Sequence, residues 1–471
     1  MKIIQKDNYN SNFGFCLRSS SIFYIPAKPV RTSIVFSDYW KFKNNIDVFI
    51  LINYREISGN LVGRESINFE GKNVIELQIP EDFTGSCEIE AFANKDLKIP
   101  YSAIMAVYES DNSISMVHSY SRVYSQIELE DEKVICDGRE GCWTLRDNKE
   151  IESFAVLHNG SKTLSEQLIT LTISNCKNEH KKINFPLKSL KPYETFLIKP
   201  NKYFKNLSDF LYGEDGSCKI KFKLSSSFTR LLIGWQTIDK KELQVTHSNF
   251  DYSSHETDLI DCKNNFGYMV IPNINKEREI YTLIYPDRSP GNYFISSEKI
   301  AKLNIKKTLE IIKTESQDLK FEREDGMLPS RIVTALKIKP IKESILPCEC
   351  SLGITHNMRP KKRFHWGIVS AKFNSSILLT AIRDIYGDPK DSNICLKLYS
   401  QKTDQAIQRN LNWDEISEDG RNAFIEIKSF FKKSEIDFER YMYVSIFSQY
   451  GGFFVYTTLE KGGSFSIEHT F

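Results

Sequence analysis

"SMVHSYSRVYS", residues 115–125, sets a histidine at the end of a short apolar run and ahead of a hydroxyl residue. Nearly the same phrase returns as "QVTHSNFDYSS" around His247, "LGITHNMRPKK" around His356 and "FSIEHTF" around His469. The four histidines stand 129, 109 and 113 residues apart, the length of one small sandwich domain each. The phrase therefore reads as the last strand of a domain that occurs four times.

The segments around it repeat as well. Three of the phrases close a hairpin: "SAIMAVYESDNSISMVHS" turns at Asp111-Asn112, "RLLIGWQTIDKKELQVTHS" at Asp239–Lys241 and "GGFFVYTTLEKGGSFSIEHT" at Lys461–Gly463. Asn, Asp and Gly accept the positive φ that tight hairpins need. The third unit is less regular, and Pro340 and Pro347 predict an edge strand or bulge there. Mid-unit strands recur as "GKNVIELQIP", "PYETFLIKP", "KKTLEIIK" and "RNAFIEIK". The alternation in "NVIELQI" and "AFIEIK" suits a strand with one wet face. Each unit is expected to open with an aromatic (Trp40, Trp143, Tyr268, Trp366) followed by an apolar strand, Val48–Ile52, Phe154–Leu157, Ile280–Ile284 and Ile377–Ile382.

These patterns predict an all-β chain of four tandem β-sandwich-like domains with little helix, spanning 1–129, 130–256, 257–364 and 365–471, the third being the most divergent. Short helical turns are expected within Lys199–Gly213 and Asn412–Ser417. No Gly/Ser-rich or Pro-rich spacer separates the units, which predicts packed joints.

"FAVLHNGSKTLSEQLITLTISN", "INFPLKSLKPYETFLIKP" and "RLLIGWQTIDKKELQVTH" together resemble in layout the sensory-rhodopsin-transducer-like domains. The resemblance covers one repeat at a time. It implies small β-sandwiches that oligomerise and are proposed to bind small ligands or partners, and it transfers no functional residue. Four copies in one chain depart from that single-domain pattern.

A net charge of +2 on 471 residues supplies no field for nucleic acid or an anionic membrane. No apolar run approaches the ~18 residues of a membrane helix. The opening "MKIIQKDNYNSNFGF" lacks the apolar core of a secretory signal. The ten cysteines are scattered without a paired C-x-x-C array, so reduced thiols and a cytoplasmic location are expected. Cys348-x-Cys350 and Cys136-x5-Cys142 do not have zinc-site spacing.

Candidate chemistry is sparse. His118, His247, His356 and His469 are expected to be structural, each bonding its own domain's edge loop, with contacts to a ligand or metal at the domain joints as the alternative. No H-x-H or H-E-x-x-H spacing accompanies them, so no metal and no cofactor are expected. "MRPKKRFHW" gathers Arg359, Lys361, Lys362 and Arg363 beside Phe364, His365 and Trp366 at the junction of the third and fourth units. It reads first as a solvated linker and otherwise as a patch for an anionic partner. Trp235 and Trp413 stand outside the repeated opening position and are expected to be freer for exposure; Trp413 joins the candidate binding set. "GEDG" (213–216), "REDG" (323–326) and "SEDG" (417–420) read as turns.

No P-loop, dinucleotide fingerprint or nucleophile elbow is present, and no catalytic residue is assigned. The expected function is a non-enzymatic binding or scaffold protein recognising a glycan or a partner protein. The alternatives are an enzyme of surface-carbohydrate metabolism with its site at a domain joint, and a structural component of a larger assembly.

Overall fold

The computed structural model describes residues 16–38, 40–41, 45–67, 69, 74–93, 104–118, 122–123, 136–224, 231–250, 259–260, 266–274, 277–285, 292–307, 309–314, 318–329, 333–341, 344–356, 361–401 and 405–470. The chain is all-β. The first unit contains β1 (Cys16–Ile25), β2 (Arg31–Ser37), β3 (Val48–Arg55), β4 (Leu61–Ile67), β5 (Val74–Gln78), β6 (Gly85–Ala93), β7 (Ile104–Glu109), β8 (Ile114–His118) and β9 (Arg122–Val123). Two antiparallel sheets result, ordered β4-β3-β6-β1-β9 and β5-β2-β7-β8.

The same order recurs three times. The second unit places Cys136–Leu145, Ile151–His158, Gln167–Ser174, His180–Leu187, Thr195–Ile198, Gly216–Leu224, Leu232–Thr237, Leu243–His247 and Asn249–Phe250 where the first has β1 to β9. The third uses Gly267–Met269, Ile280–Ile284, Tyr293–Ser296, Leu303–Ile305, Glu310–Thr314, Leu319–Arg323, Val333–Ile338, Cys348–Gly353 and Thr355–His356. A two-residue ladder, Leu259–Ile260 with Leu328–Pro329, is additional there. The fourth uses Phe364–Ser370, Asn374–Ala381, Asn393–Tyr399, Ile407–Asn412, Asn422–Glu426, Tyr441–Ser448, Phe453–Lys461 and Ser464–His469, and shows no ninth strand among its described residues.

The recurring mid-unit segments are the fifth strands, and the hairpins are the seventh and eighth. The opening strand is different in the first unit. It is "CLRSSSIFYI", whose serines hid an otherwise buried strand, and Val48–Ile52 lies in its third strand rather than its second. Trp40 accordingly follows β2, whereas Trp143, Tyr268 and Trp366 sit in first strands. Helical turns occur at Pro200–Tyr203, Leu207–Leu211 and Trp413–Ile416, within the expected segments, and also at Arg383–Tyr386 and Ile427–Phe430. Pro340 follows the third unit's seventh strand, and Pro347 immediately precedes its eighth, an edge strand.

The units do not sit as separate beads. Tyr24, Ile25 and Val30 share an apolar cluster with Phe154, Val156 and Val245 of the second unit. Cys142 of the second meets Leu283, Tyr285 and Ala335 of the third. Ile271 and Leu352 of the third cluster with Leu378, Tyr456 and Ile467 of the fourth. Finally Val35, Met105 and Val107 of the first join Trp366, Tyr441 and Tyr443 of the fourth. The joints run first to second, second to third, third to fourth and fourth to first, so the chain closes into a ring. Each four-stranded sheet is thereby covered on both faces. That is why its central strands read as unbroken apolar runs: β7 is buried throughout, and Asn374–Ala381 at every position after the first.

The eighth strands are edge strands of these sheets, and they meet at the centre of the ring. Unpaired strand edges need partners, and here side chains of the preceding unit provide them. Ser113 and Ser115 Oγ accept from the Leu243 and Val245 amides at 2.8 and 2.9 Å. Thr246 Oγ1 accepts from the Ser351 amide at 3.2 Å, and the Glu242 carboxylate from the Leu346 amide at 3.0 Å. The Cys348 and Cys350 thiols accept from the Ile467 and His469 amides. Ser464 and Ser466 Oγ accept from the Ile114 and Met116 amides at 3.2 and 2.9 Å. All four seams run in the same sense, as a heterologous contact must if it is to close a ring.

Candidate functional site

The joint of the third and fourth units opens into a cleft of about 640 Å³. The third unit contributes Tyr268 from its first strand, Asp318 and Lys320 at the start of its sixth, and Ser296, Ser297 and Glu298 where its third strand turns. The fourth contributes Arg383 and Asp384 from the helical turn after its second strand, then Asp388, and Arg421 just before its fifth strand. Gly387, at φ +83°, ends that helical turn and redirects the chain toward Asp388.

One ion pair braces the floor. Arg421 Nη2 meets Asp318 Oδ2 at 2.8 Å, and Asp318 Oδ1 accepts from the Ile271 amide at 3.2 Å. Burial pushes the Asp318 carboxyl up to about 6, against the opposing pull of Arg421. The Tyr268 hydroxyl is also raised, first by burial, then by the negative charge of the Asp384 carboxylate and its hydrogen bond to it. Arg383 Nη2 reaches Asp388 Oδ2 at 3.4 Å and is half exposed. The cleft thus offers donors and acceptors of both signs beside one tyrosine, which suits a ligand rich in hydroxyl groups. None of the residues singled out in the sequence as binding candidates lines this cleft; its lining comes from six separate segments with no shared motif.

The predicted basic patch is only partly a surface. Lys361, Lys362 and Arg363 are exposed, and Lys362 Nζ donates to the Thr470 carbonyl at 3.2 Å; Arg359 lies outside the described residues. His365 and Trp366 are 3 % and 2 % exposed, because the chain enters a strand at Phe364 and turns both inward. His365 Nδ1 lies 3.0 Å from Thr470 Oγ1, and Trp366 stacks on Tyr443 at 5.8 Å between centroids. Trp413 and Trp235, expected to be freer, are both fully buried. Trp413 Nε1 donates to the Gly420 carbonyl, so neither indole is available to an outside ligand. Asp215 of "GEDG" does more than turn the chain. It pairs with Arg146 and with Lys337 of the third unit, and those two charges outweigh burial to hold its carboxyl below the usual range.

The four histidines divide three to one. His118, His247 and His469 each end an eighth strand, and their ligand atoms lie with one from Glu468 within 4.8 Å of one another. His118 Nδ1 meets Glu468 Oε1 at 2.9 Å across the seam between first and fourth units, while the loop that follows His118 lies outside the described residues. His247 Nδ1 does approach its own loop, at the Ser248 carbonyl. His356 is elsewhere: it lies in the ninth strand, paired with Gly267. Glu468 carried no sequence signal, since its partners are 350 and 221 residues away along the chain.

Among the described residues no helix is long and apolar enough to cross a membrane. No protein-family model matches the chain, and no curated protein does. Among solved structures, a tetra-tandem repeat in the extending region of a large adhesion protein aligns at 6 % identity and a TM-score of 0.10, over 93 % of this chain and 97 % of that one. The Salmonella alpha-2-macroglobulin mutant Y1175G aligns at 7 % identity and a TM-score of 0.10, over 97 % of this chain and 29 % of the other. The chain is a four-unit tandem β-sandwich-like protein.

Proposed function

We propose that this chain is a non-enzymatic binding or scaffold protein that takes up a glycan in the cleft between its third and fourth units. The observation that supports the reading is the cleft itself: a concave, polar, two-sided site with Tyr268 beside Arg383, Asp384 and Lys320. Carbohydrate hydroxyls need paired donors and acceptors, and a buried polar group left without its partner rejects a ligand that lacks it. Smaller pockets lie at the second–third joint, beside Arg146, Asp215 and Lys337, and at the first–second joint, beside Tyr24 and Phe154; the third–fourth cleft exceeds both in volume.

The test is a glycan-array screen of the full chain beside Arg383→Ala and Asp384→Ala variants. The expected result is selective binding that falls at least roughly tenfold in either variant, the effect of losing about 1.4 kcal/mol. Binding that survives both substitutions places the ligand elsewhere, and no binding to any glycan removes the carbohydrate reading.

A second reading, an enzyme of surface-carbohydrate metabolism, draws on Asp318. A carboxyl raised to about 6 next to Asp384 is poised for proton transfer. Turnover of an array-positive glycan, abolished in Asp318→Asn, distinguishes it from binding alone.

A further inference from the structure

We infer that a divalent transition-metal ion, zinc(II) foremost, binds at the centre of the ring, held by His118, His247, Glu468 and His469. The four side chains come from three units: His118 ends the first unit's eighth strand, His247 the second's, and Glu468-His469 the fourth's. His118, His247 and Glu468 are buried and His469 is nearly so. The imidazoles face one another edge to face, with centroids 4.5 Å apart for His118 and His247 and 5.1 Å for His118 and His469.

The separations suit an ion. Donors bound at zinc's ~2.0–2.2 Å in a tetrahedron lie about 3.4 Å from one another. Here Glu468 Oε1 is 2.9 Å from His118 Nδ1 and 3.6 Å from His469 Nε2, and all four ligand atoms fall within 4.8 Å. The widest separation allowed by that limit exceeds the tetrahedral edge by about 1.4 Å, the distance the ligand atoms have to close on an ion.

The donor set selects the class of ion. Three imidazoles and one carboxylate suit zinc and its first-row neighbours. Calcium and magnesium, which take six or more oxygen ligands or retain their waters, do not match. Four protein donors fill four positions, so the site is closed and structural rather than catalytic. The third unit sends no histidine here, since its eighth strand is "CECSLG". It supplies support instead: the Cys350 thiol accepts from the His469 amide and fixes the strand that carries two ligands.

An ion here joins the first, second and fourth units at one point, across the seam where the chain returns on itself. It acts as a staple for ring closure, distinct from the cleft between the third and fourth units.

The experiment uses the tag-free full chain, stripped with chelator and titrated with zinc(II), and in parallel with cobalt(II) as an optical probe. The expected result is uptake of one equivalent, a tetrahedral cobalt spectrum displaced by zinc, and a rise in Tm on loading. His247→Ala and Glu468→Gln are expected to weaken uptake by more than the roughly 10–100-fold that loss of a supporting contact costs. His180→Ala, on the exposed fourth strand of the second unit, is expected to leave it unchanged. The inference is overturned if the stripped wild-type chain takes up no stoichiometric ion. Uptake that persists in both ligand variants, or that disappears in His180→Ala, overturns it equally. The wild-type titration decides the question even if a variant does not fold.

Discussion

Glu88 lies on β6 at 2 % exposure, beneath Ser20, Asn53 and Arg55. Burial pushes its carboxyl from 4.5 up to about 7, and the neighbouring Glu90 adds to that; Arg55, the Ser20 hydroxyl and Asn53 act in the opposite direction. Between about pH 4.5 and 7 the folded chain therefore keeps a proton there that the unfolded chain has lost. Stability is expected to fall as pH rises through this window and to level off above it, with a slope of at most about one proton. Urea denaturation of Glu88→Gln across the window checks the sign: the variant is expected to show a flatter profile than wild type. An unchanged profile would mean that Arg55 keeps the carboxylate ionised in the folded chain, so that both states have lost the proton across the window. Residue-scale chemistry of this kind was not legible in the sequence. Only the partners brought from 33 and 68 residues away determine what Glu88 experiences. The aromatic residues of "KKRFHW" show the same limit. Their charged neighbours suggested exposure, while the run "FHWGIVS" that they open carried the contrary signal of a buried strand.

At the scale of elements, the hairpins and fifth strands were legible because turn residues and alternation are local properties. The seams between eighth strands were not, since Ser464 and Ile114 are 350 residues apart. Two of those seams depend on serine hydroxyls that cap exposed strand edges, and the serines in "NSISMVH" and "GSFSIEH" are their trace in the sequence. Replacing Ser464 and Ser466 together by alanine leaves the Ile114 and Met116 amides buried without acceptors. Each such loss costs about 1–3 kcal/mol. The double variant is expected to unfold at lower urea concentration, and hydrogen exchange at those two amides is expected to accelerate more than at the Leu243 and Val245 amides, whose serine partners are intact. Equal exchange at all four would show that the hydroxyls do not close this seam. The repeated histidine belongs to the same scale. In three units it ends the eighth strand, but in the third the phrase has slipped past the strand's end, so one of four similar phrases marks a different place in the fold.

For the whole molecule, four domains were legible in the spacing of the phrases, whereas their closure was not. Short linkers permit an extended row as readily as a ring, and the choice lies in faces that only pack together in three dimensions. Trp366 and Tyr443 against Met105 and Val107 are the clearest case: residues from opposite ends of the chain form a single apolar joint. The ring provides the frame for both the cleft and the histidine centre, and the centre exists only if the fourth unit docks on the first. Small-angle X-ray scattering of the full chain tests this most directly. A closed, compact arrangement of 471 residues predicts a radius of gyration of about 23 Å. A value above roughly 35 Å, with the drawn-out distance distribution of four domains in a row, would contradict ring closure.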